Sequence, residues 1–247
     1  MNENGTTAII LCAGRGGRLR PLTDDRPKCL LSPGGRPILE RCLDSLGKAG
    51  IRQTVVVTGY RADMVEAFVR EKNYAGIRFV PNPEFAVTNT AVSLHLALGA
   101  IGTDVLVING DVIFDPAVLD DLLAAPEPSA VAVDRDVPLD AENVKVIAGN
   151  GRLTRIGKDL DPRLCLGEAI GLNKVGAALL PELVRVYAGL ERRGERQHFF
   201  ERGFDVLVGD GGPSFGLSFT RGRPWVEIDT LEDLTHAERD IVPRLPG

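Results

Sequence analysis

The strongest constraint on this chain is an apolar segment that runs directly into a loop rich in glycine and arginine. Residues 8–12 are apolar without interruption, which is typical of a parallel strand buried on both faces. Glycines let the following backbone approach a ligand and turn its N–H groups towards it, and cationic side chains add charge. The glycines are Gly14, Gly16 and Gly17, and the cations are Arg15, Arg18 and Lys28. This pattern predicts a binding site for several phosphate groups at once.

Two common phosphate-binding loops are excluded by single residues. A dinucleotide fingerprint would need a third glycine in place of Leu19 and an acidic residue about 20 positions later. The second predicted strand ends at Thr58 and Gly59, where no acid stands. A P-loop would need Ser or Thr directly after its lysine, but Lys28 is followed by Cys29. The loop therefore represents a different kind of phosphate site.

Strands and helices alternate along the first part of the chain. The patterns predict strands over residues 8–12, 54–58, 77–80, 105–108 and 130–134, and helices over 38–50, 62–72, 89–98 and 116–124. From residue 137 a hairpin over 142–156 is predicted, then a strand over 168–174, helices over 177–190 and 199–208, a strand over 225–229 and a last helix capped by Thr230. This order predicts an α/β fold with a Rossmann-like, doubly wound sheet that is mixed but mainly parallel. With 247 residues, 44% of them hydrophobic, the chain is predicted to form one domain over 1–247.

Composition argues against several classes of protein. A net charge of −5 speaks against nucleic acid as a partner. No apolar run reaches about 18 residues, so we expect no membrane span, and the polar N-terminal residues carry no signal-peptide core. The cysteines stand apart among apolar neighbours, which predicts reduced thiols in a cytoplasmic protein. They are Cys12, Cys29, Cys42 and Cys165.

The loop resembles the signature of the sugar-phosphate nucleotidyltransferase superfamily. That signature reads Leu-x-Ala-Gly-x-Gly-x-Arg-Leu, then Pro-Leu-Thr, then Pro-Lys-x-Leu, and every position is filled, ending at Pro27-Lys28-Cys29-Leu30. The resemblance implies the nucleotide-diphospho-sugar transferase fold, with a nucleotide-binding half over 1–136 and a small acceptor-binding insertion in the half over 137–247. It implies nucleotide contacts from Leu11, Ala13, Gly14, Arg15, Gly16, Gly17, Arg18, Lys28, Thr88, Asn89 and Gly110. The base is expected beside Ala13 and Gly14.

Two aspartates are candidates for holding a divalent cation. Asp111 and Asp229 each end an apolar run, and both match the acidic positions of the superfamily. Ligands of open parallel sheets lie at the carboxyl ends of the strands, where we expect both side chains. Magnesium prefers one or two carboxylates together with phosphate oxygens and water, so Mg²⁺ is the expected cofactor. The structural alternatives are a turn cap for Asp111 and a neighbour of the helix cap for Asp229.

These groups predict a phosphoryl-transfer reaction without a general base. Lys28 is expected on the α-phosphate of a nucleoside triphosphate, and Arg18 on the leaving phosphates, because guanidinium matches phosphate oxygens in a fork. An acceptor phosphate or phosphonate oxygen would attack the α-phosphorus and release pyrophosphate. Since that nucleophile is already an anion, catalysis reduces to alignment and charge neutralisation by Lys28, Arg18, Asp111 and Asp229.

The segment from Asn82 to Leu94 resembles the small CTP-dependent cytidylyltransferases that act on phosphocholine, inositol phosphate or phosphonates. This resemblance implies CTP as the donor and acceptor contacts from Asn89, Lys145 and Glu168, although Asn89 could cap a helix and Glu168 a strand. Arg135 is added as a second cation for the acceptor anion. Only 5% of the residues are aromatic, whereas a choline acceptor needs aromatic faces. The segment over 198–201 stands where choline-type members carry Trp-Tyr-Glu, and Phe199 and Phe200 could contribute such a face, but both are expected in the core. A compact phosphonate or phosphate monoester is therefore favoured over phosphocholine and inositol phosphate.

Two other functions compete with the cytidylyltransferase. A nucleotidyltransferase for a sugar 1-phosphate would be expected to carry a longer sugar-contacting region. A non-catalytic nucleotide-binding module would be expected to lack Lys28, Asp111 or Asp229, and all three are present. The sequence does not determine the oligomeric state, and a homodimer remains open.

Overall fold

The computed structural model describes residues 5–99, 101–209 and 215–246. Eleven strands are assigned in these ranges, and most of them form one sheet. They are β1 (Thr7–Cys12), β2 (Gln53–Thr58), β3 (Ile77–Pro81), β4 (Val105–Asn109), β5 (Val112–Phe114), β6 (Ala130–Asp134), β7 (Lys145–Gly149), β8 (Arg152–Gly157), β9 (Gly167–Val175), β10 (Gly216–Phe219) and β11 (Trp225–Glu227).

Seven α-helices cover the sheet within the same ranges. They are α1 (Ile38–Lys48), α2 (Ala62–Glu71), α3 (Thr90–Leu98), α4 (Pro116–Leu123), α5 (Leu180–Arg192), α6 (Glu201–Gly209) and α7 (Leu231–His236). None of these helices combines the length and the apolar composition that crossing a bilayer would require.

The main sheet runs in the order β10-β6-β9-β4-β1-β2-β3, and the hairpin of β7 and β8 joins it through β9. Along this path the neighbours are parallel except at β9, which is antiparallel to both β4 and β6. This confirms the predicted α/β fold with a mixed, mainly parallel sheet. The predicted boundary at residue 136 does not divide the sheet, because β9 lies between two strands from before that boundary.

Alternation along β1 builds an apolar layer on each face of the sheet. Ile9 and Leu11 point into a cluster with Leu94 of α3 and Leu183 of α5. Their neighbours Ala8 and Ile10 point the other way, into a second cluster with side chains of α1 and α4. Both faces are therefore covered, which explains why the central strands read as continuous apolar runs.

Three local predictions were wrong or incomplete. The short strands β5 and β10 were not predicted, because runs of three and four residues carry too little periodicity. The strand expected over 225–229 ends at Glu227 and pairs with β5 in a separate two-stranded ribbon. In α3, Leu96 is 44% exposed, whereas Leu94 and Leu98 are buried. Because α3 is apolar almost throughout, its sequence does not show which face is buried.

Candidate active site

The loop after β1 folds back on itself so that its two ends meet. Gly16 has a left-handed backbone with φ of +69°, and a Cβ there would lie 3.1 Å from Cβ of Lys28. The Thr23 hydroxyl donates to the Gly16 carbonyl at 2.8 Å and closes the loop. Gly16 is thus required both by its backbone conformation and by the side chain packed beneath it.

Lys28 lies between the two predicted aspartates. Its ammonium donates to Oδ2 of Asp111 at 2.7 Å and to Oδ1 of Asp229, and the residue is only 8% exposed. Burial alone would lower the pKa of Lys28, but the two carboxylates outweigh it and raise that pKa. Arg18 donates to the other oxygen of Asp229 at 2.6 Å. The structure therefore brings all four predicted catalytic residues together.

The two-stranded ribbon explains how Asp111 and Asp229 come together. Asp111 lies between β4 and β5, and Asp229 follows β11, which pairs with β5. The Ile228 amide donates to the Asp111 carbonyl at 3.0 Å, which links the two acids through the backbone. Asp229 was expected at the end of a strand in the main sheet. It comes from this ribbon instead, and the predicted cap of α7 by Thr230 follows it directly.

A third carboxylate, Glu227, joins the two aspartates. One carboxylate oxygen each from Asp111, Glu227 and Asp229 lies within 4.8 Å of the others. Burial and the two neighbouring acids raise the pKa of Glu227. Oδ1 of Asp111 is buried and has no hydrogen-bond partner. Three neighbouring carboxylates, one of which has an unpartnered oxygen, fit a hard divalent cation. In the sequence, Glu227 stands two residues before Asp229, and this spacing could have indicated a third ligand. It was not predicted because only acids at the ends of strands were considered.

These groups line a cavity of about 440 Å³, which we call the main cavity. The predicted residues that line it are Leu11, Gly14, Gly16, Gly17, Arg18, Lys28, Asn89, Gly110, Asp111 and Asp229. Ala13 and Thr88 line an adjoining small pocket of about 70 Å³. Asn89 caps α3 by accepting from the Thr90 amide at 2.8 Å, so this helix N-terminus, which favours anions, also lies at the cavity wall.

Four predicted cations or acids, including Lys145, lie away from the main cavity. The Arg15 guanidinium lies 5.4 Å from the ring centre of Tyr60, and that of Arg135 lies 4.1 Å from the ring centre of Phe219. Glu168 lines a separate outer cavity of about 600 Å³, which shares Arg18 and Asp229 with the main cavity.

Lys145, predicted to bind the acceptor anion, does not face any of these cavities. It is only 1% exposed, and its ammonium donates to the carbonyls of Asp140 at 2.7 Å and Asn143 at 3.1 Å. A buried ammonium must satisfy its donors, and here the backbone does so. Lys145 therefore holds the segment over 140–143 in place.

Besides Glu227, sequence reasoning did not place Lys158, Phe199 and Glu201 at the main cavity. Lys158 lines it, with its ammonium 4.4 Å from the ring centre of Phe199 and 3.8 Å from the Glu142 carboxylate. Phe199 was expected in the core, but it is 39% exposed and lines the cavity, whereas Phe200 is fully buried as expected. Glu201 is 3% exposed, and burial raises its pKa to about 7. A single lysine or acid that is not part of a repeating pattern gives no periodic signal.

The fold and the site together define an α/β protein with a glycine-rich, cationic loop and a carboxylate cluster at one end of its sheet. Residues 8–197 match the family model that is described as "MobA-like NTP transferase domain". The chain is a member of this family. The resemblance seen in the glycine-rich loop is thereby confirmed.

Relatives with curated functions agree with this membership. The chain is 32% identical, over 98% of its length, to the CMP-5′-(3-aminopropyl)phosphonate synthase of Streptomyces rubellomurinus. It is 29% identical, over 75% of its length and 79% of the relative, to the CTP:phosphoglutamine cytidylyltransferase of Campylobacter jejuni. The chain spans 41% of the length of the Streptomyces protein, and less than half of several other curated relatives.

Solved structures support the fold. The CTP:phosphocholine cytidylyltransferase from Streptococcus pneumoniae superposes with a TM-score of 0.77 at 22% identity, covering 95% of this chain and 98% of that one. The inositol-1-phosphate CTP transferase from T. maritima gives the same TM-score at 23% identity, covering 97% and 98%. These likenesses confirm the nucleotide-diphospho-sugar transferase type of architecture.

Proposed function

We propose that the protein is a magnesium-dependent cytidylyltransferase of the cytoplasm. It transfers CMP from CTP to a small phosphonate or phosphate monoester and releases pyrophosphate. The observation that carries this proposal is the position of Lys28, which lies between Asp111 and Asp229 under a glycine-rich loop. The Lys28 ammonium thus lies beside the carboxylates that would hold a metal ion. Phosphates held by the loop would lie close to both positive charges.

Each residue of the site has a definite task in this reaction. The N–H groups of the loop and the Arg18 guanidinium bind the β- and γ-phosphates, and Lys28 binds the α-phosphate. An acceptor oxygen forms a bond to the α-phosphorus while the bond from that phosphorus to the bridging oxygen breaks. Both electrons of the broken bond leave with pyrophosphate. Because the acceptor oxygen is already ionised, no side chain needs to remove a proton.

The carboxylate cluster is suited to the magnesium ion that the proposal requires. Asp111, Glu227 and Asp229 would hold the ion, and the unpartnered Oδ1 of Asp111 is the donor that most needs it. When bound, the ion supplies positive charge to the phosphate oxygens of the reacting groups.

The choice of CTP and of a phosphonate or phosphate acceptor is supported by the relatives. Those named above are described by CMP or CTP together with a phosphonate or a phosphorylated compound. The base is proposed to lie beside Ala13 and Gly14, where the small pocket adjoins the main cavity. Asn82 donates to the Thr88 and Ser93 hydroxyls in this region and so fixes the wall of that pocket.

A panel of substrates tests the proposal. The full chain is incubated with each of CTP, UTP, GTP, ATP and dTTP and with Mg²⁺. The acceptors are 2-aminoethylphosphonate, phosphonoformate, phosphocholine, inositol 1-phosphate and glucose 1-phosphate, and pyrophosphate is measured. We expect release with CTP and a phosphonate or phosphate monoester, and its loss when Mg²⁺ is replaced by EDTA. Release only with UTP or dTTP and glucose 1-phosphate would support the sugar-phosphate enzyme. No release with any pair would support a non-catalytic module.

A further inference from the structure

The segment over 195–200, which we call the linking segment, is hydrogen-bonded to the start of α3. It lies between α5 and α6. The Asn89 amide donates to the Arg196 carbonyl at 3.0 Å. At the other end of the segment, the Phe200 amide donates to the Thr90 hydroxyl at 2.9 Å. The linking segment is thus joined to α3 near both of its ends.

Arg196 also reaches the loop before α3 through its side chain. Its guanidinium donates to both carboxylate oxygens of Glu84, at 2.9 and 2.6 Å. The Arg196 and Glu84 side chains are 33% and 52% exposed, so the pair contributes little to stability. A two-pronged contact between a guanidinium and a carboxylate nevertheless fixes the orientation of the two groups. The pair therefore sets where the linking segment lies relative to Glu84.

Glu84 is bonded to the wall of the small pocket, beside which the base is proposed to lie. Its amide donates to Oδ1 of Asn82 at 3.0 Å, and its carbonyl accepts from the Thr88 hydroxyl at 2.8 Å. Asn82 and Thr88 both line the small pocket, and so does Asn89. Arg196 thus holds this wall twice, through Glu84 with its side chain and through Asn89 with its backbone.

The far end of the linking segment reaches the main cavity. Phe199 lines that cavity together with Lys28 and Asp111. Thr90, which accepts from the Phe200 amide, lines both the main cavity and the small pocket. A shift of the linking segment would therefore change the shape of both sites.

We infer that Arg196 is a positioning residue that couples the binding of the nucleotide to the binding of the acceptor. The inference rests on the proposed function for the identity of these two ligands. A base that packs against Thr88 and Asn89 holds the wall of the small pocket, and Arg196 holds the linking segment against that wall. The acceptor then enters a main cavity whose side at Phe199 is already ordered, so its binding loses less conformational entropy. By linkage, the acceptor strengthens nucleotide binding by the same factor.

Equilibrium binding tests this coupling without turnover. Each acceptor of the substrate panel is titrated calorimetrically into the full chain with Mg²⁺, without and with saturating α,β-methylene-CTP, whose methylene bridge cannot be displaced. We expect the analogue to tighten the binding of at least one acceptor by about fivefold or more. Arg196→Gln and Glu84→Gln should each reduce this factor to about twofold or less. The double variant should lose no more than either single variant, because both substitutions break the same pair.

Arg193→Gln is the matched control, because it removes the same charge three positions before Arg196. The Arg193 guanidinium pairs with Glu195, two positions away, so this variant should keep the coupling factor of the wild type. Amide hydrogen exchange of Phe200, followed by NMR, gives a second readout, since Phe200 lines neither the small pocket nor the main cavity. The analogue should slow this exchange in the wild type and in Arg193→Gln, but not in Arg196→Gln.

Three results would overturn the inference. One is an equal affinity for every acceptor with and without the analogue in the wild-type protein. Another is an unchanged coupling factor in Arg196→Gln and Glu84→Gln, which would leave the pair a merely structural role even if Tm or nucleotide affinity fell. The third is a loss in the double variant that equals the sum of the two single losses, because the two residues would then act separately.

Pyrophosphate release separates this inference from the proposed function. If no pair of substrates releases pyrophosphate while the coupling persists and depends on Arg196, the positioning role stands and the proposed function fails. If pyrophosphate is released with CTP but the two ligands bind independently of each other, the reaction stands and the positioning role is refuted.

Discussion

Replacing Lys28 by methionine is the most direct test of the site, because it removes one charge and keeps most of the side-chain volume. In the structure this ammonium separates the Asp111 and Asp229 carboxylates and is almost wholly buried. Removing a preorganised donor of this kind costs about 2.7–4 kcal/mol of transition-state stabilisation. We therefore expect kcat for pyrophosphate release to fall by about 10²–10³-fold.

The same substitution should also lower stability, by an amount that the exposure of the carboxylates limits. Breaking a fully buried pair costs about 3–5 kcal/mol. Here the side chains of Asp111 and Asp229 are 23% and 32% exposed, so water compensates part of the loss and about 2 kcal/mol is expected. For a chain of this size that corresponds to a fall in Tm of about 4–8 °C. Mg²⁺ should restore more of the Tm in the variant than in the wild type, because the two carboxylates have lost their cation.

The assay is steady-state pyrophosphate release, with Tm followed by circular dichroism. Lys48→Met is the matched control, because Lys48 is exposed in the last turn of α1, and it should match the wild type in both measurements. Turnover of Lys28→Met within threefold of the wild type, in a folded variant, would refute the role of Lys28 and with it the mechanism.

Two further predictions concern packing and pH. A Cβ at Gly110 would lie 2.6 Å from the Leu11 carbonyl oxygen, so Gly110→Ala should destabilise the protein by about 1–3 kcal/mol in chemical denaturation. Gly102→Ala is the control and should leave stability unchanged, because a Cβ there would meet no atom within 4 Å. An unchanged midpoint for Gly110→Ala would contradict this packing. The pKa of Glu201 is about 7 in the folded protein against 4.5 when unfolded. The folded state therefore binds more protons between these values, and stability falls as pH rises from 5 to 7, by up to about 3 kcal/mol. The gain in Tm from Glu201→Gln should accordingly be larger at pH 8 than at pH 5, and an equal gain at both would refute the raised pKa.

The parts of the site that lie on one short stretch could be predicted from sequence. Gly16 and Lys28 belong to a loop whose conformation follows from its own glycines, and Asp111 lies two residues after the end of β4. Asp229 lies close to Asp111, although the ribbon that brings them together was not foreseen. The family pattern supplied that pairing, whereas strand periodicity alone placed the acid in the wrong sheet.

The acceptor side was harder to predict because charge alone does not say where a side chain points. Lys145 looked like an anion ligand, yet two backbone carbonyls hold its ammonium. Arg135 lies against Phe219 for a similar reason, since a ring face offers a long side chain a partner. Glu201 belongs to the segment over 198–201, whose aromatic residues were expected in the core, and only the tertiary structure shows that its carboxylate is buried at the wall of the main cavity.

The antiparallel strand β9 has a mechanical consequence. It is hydrogen-bonded to β4, which leads into Asp111, and it also carries the hairpin of β7 and β8, which ends beside Lys158. Hinge opening between these two parts of the molecule would have to break that ladder of backbone bonds. Substrate entry and product exit must then take place while the sheet beneath the site keeps its shape.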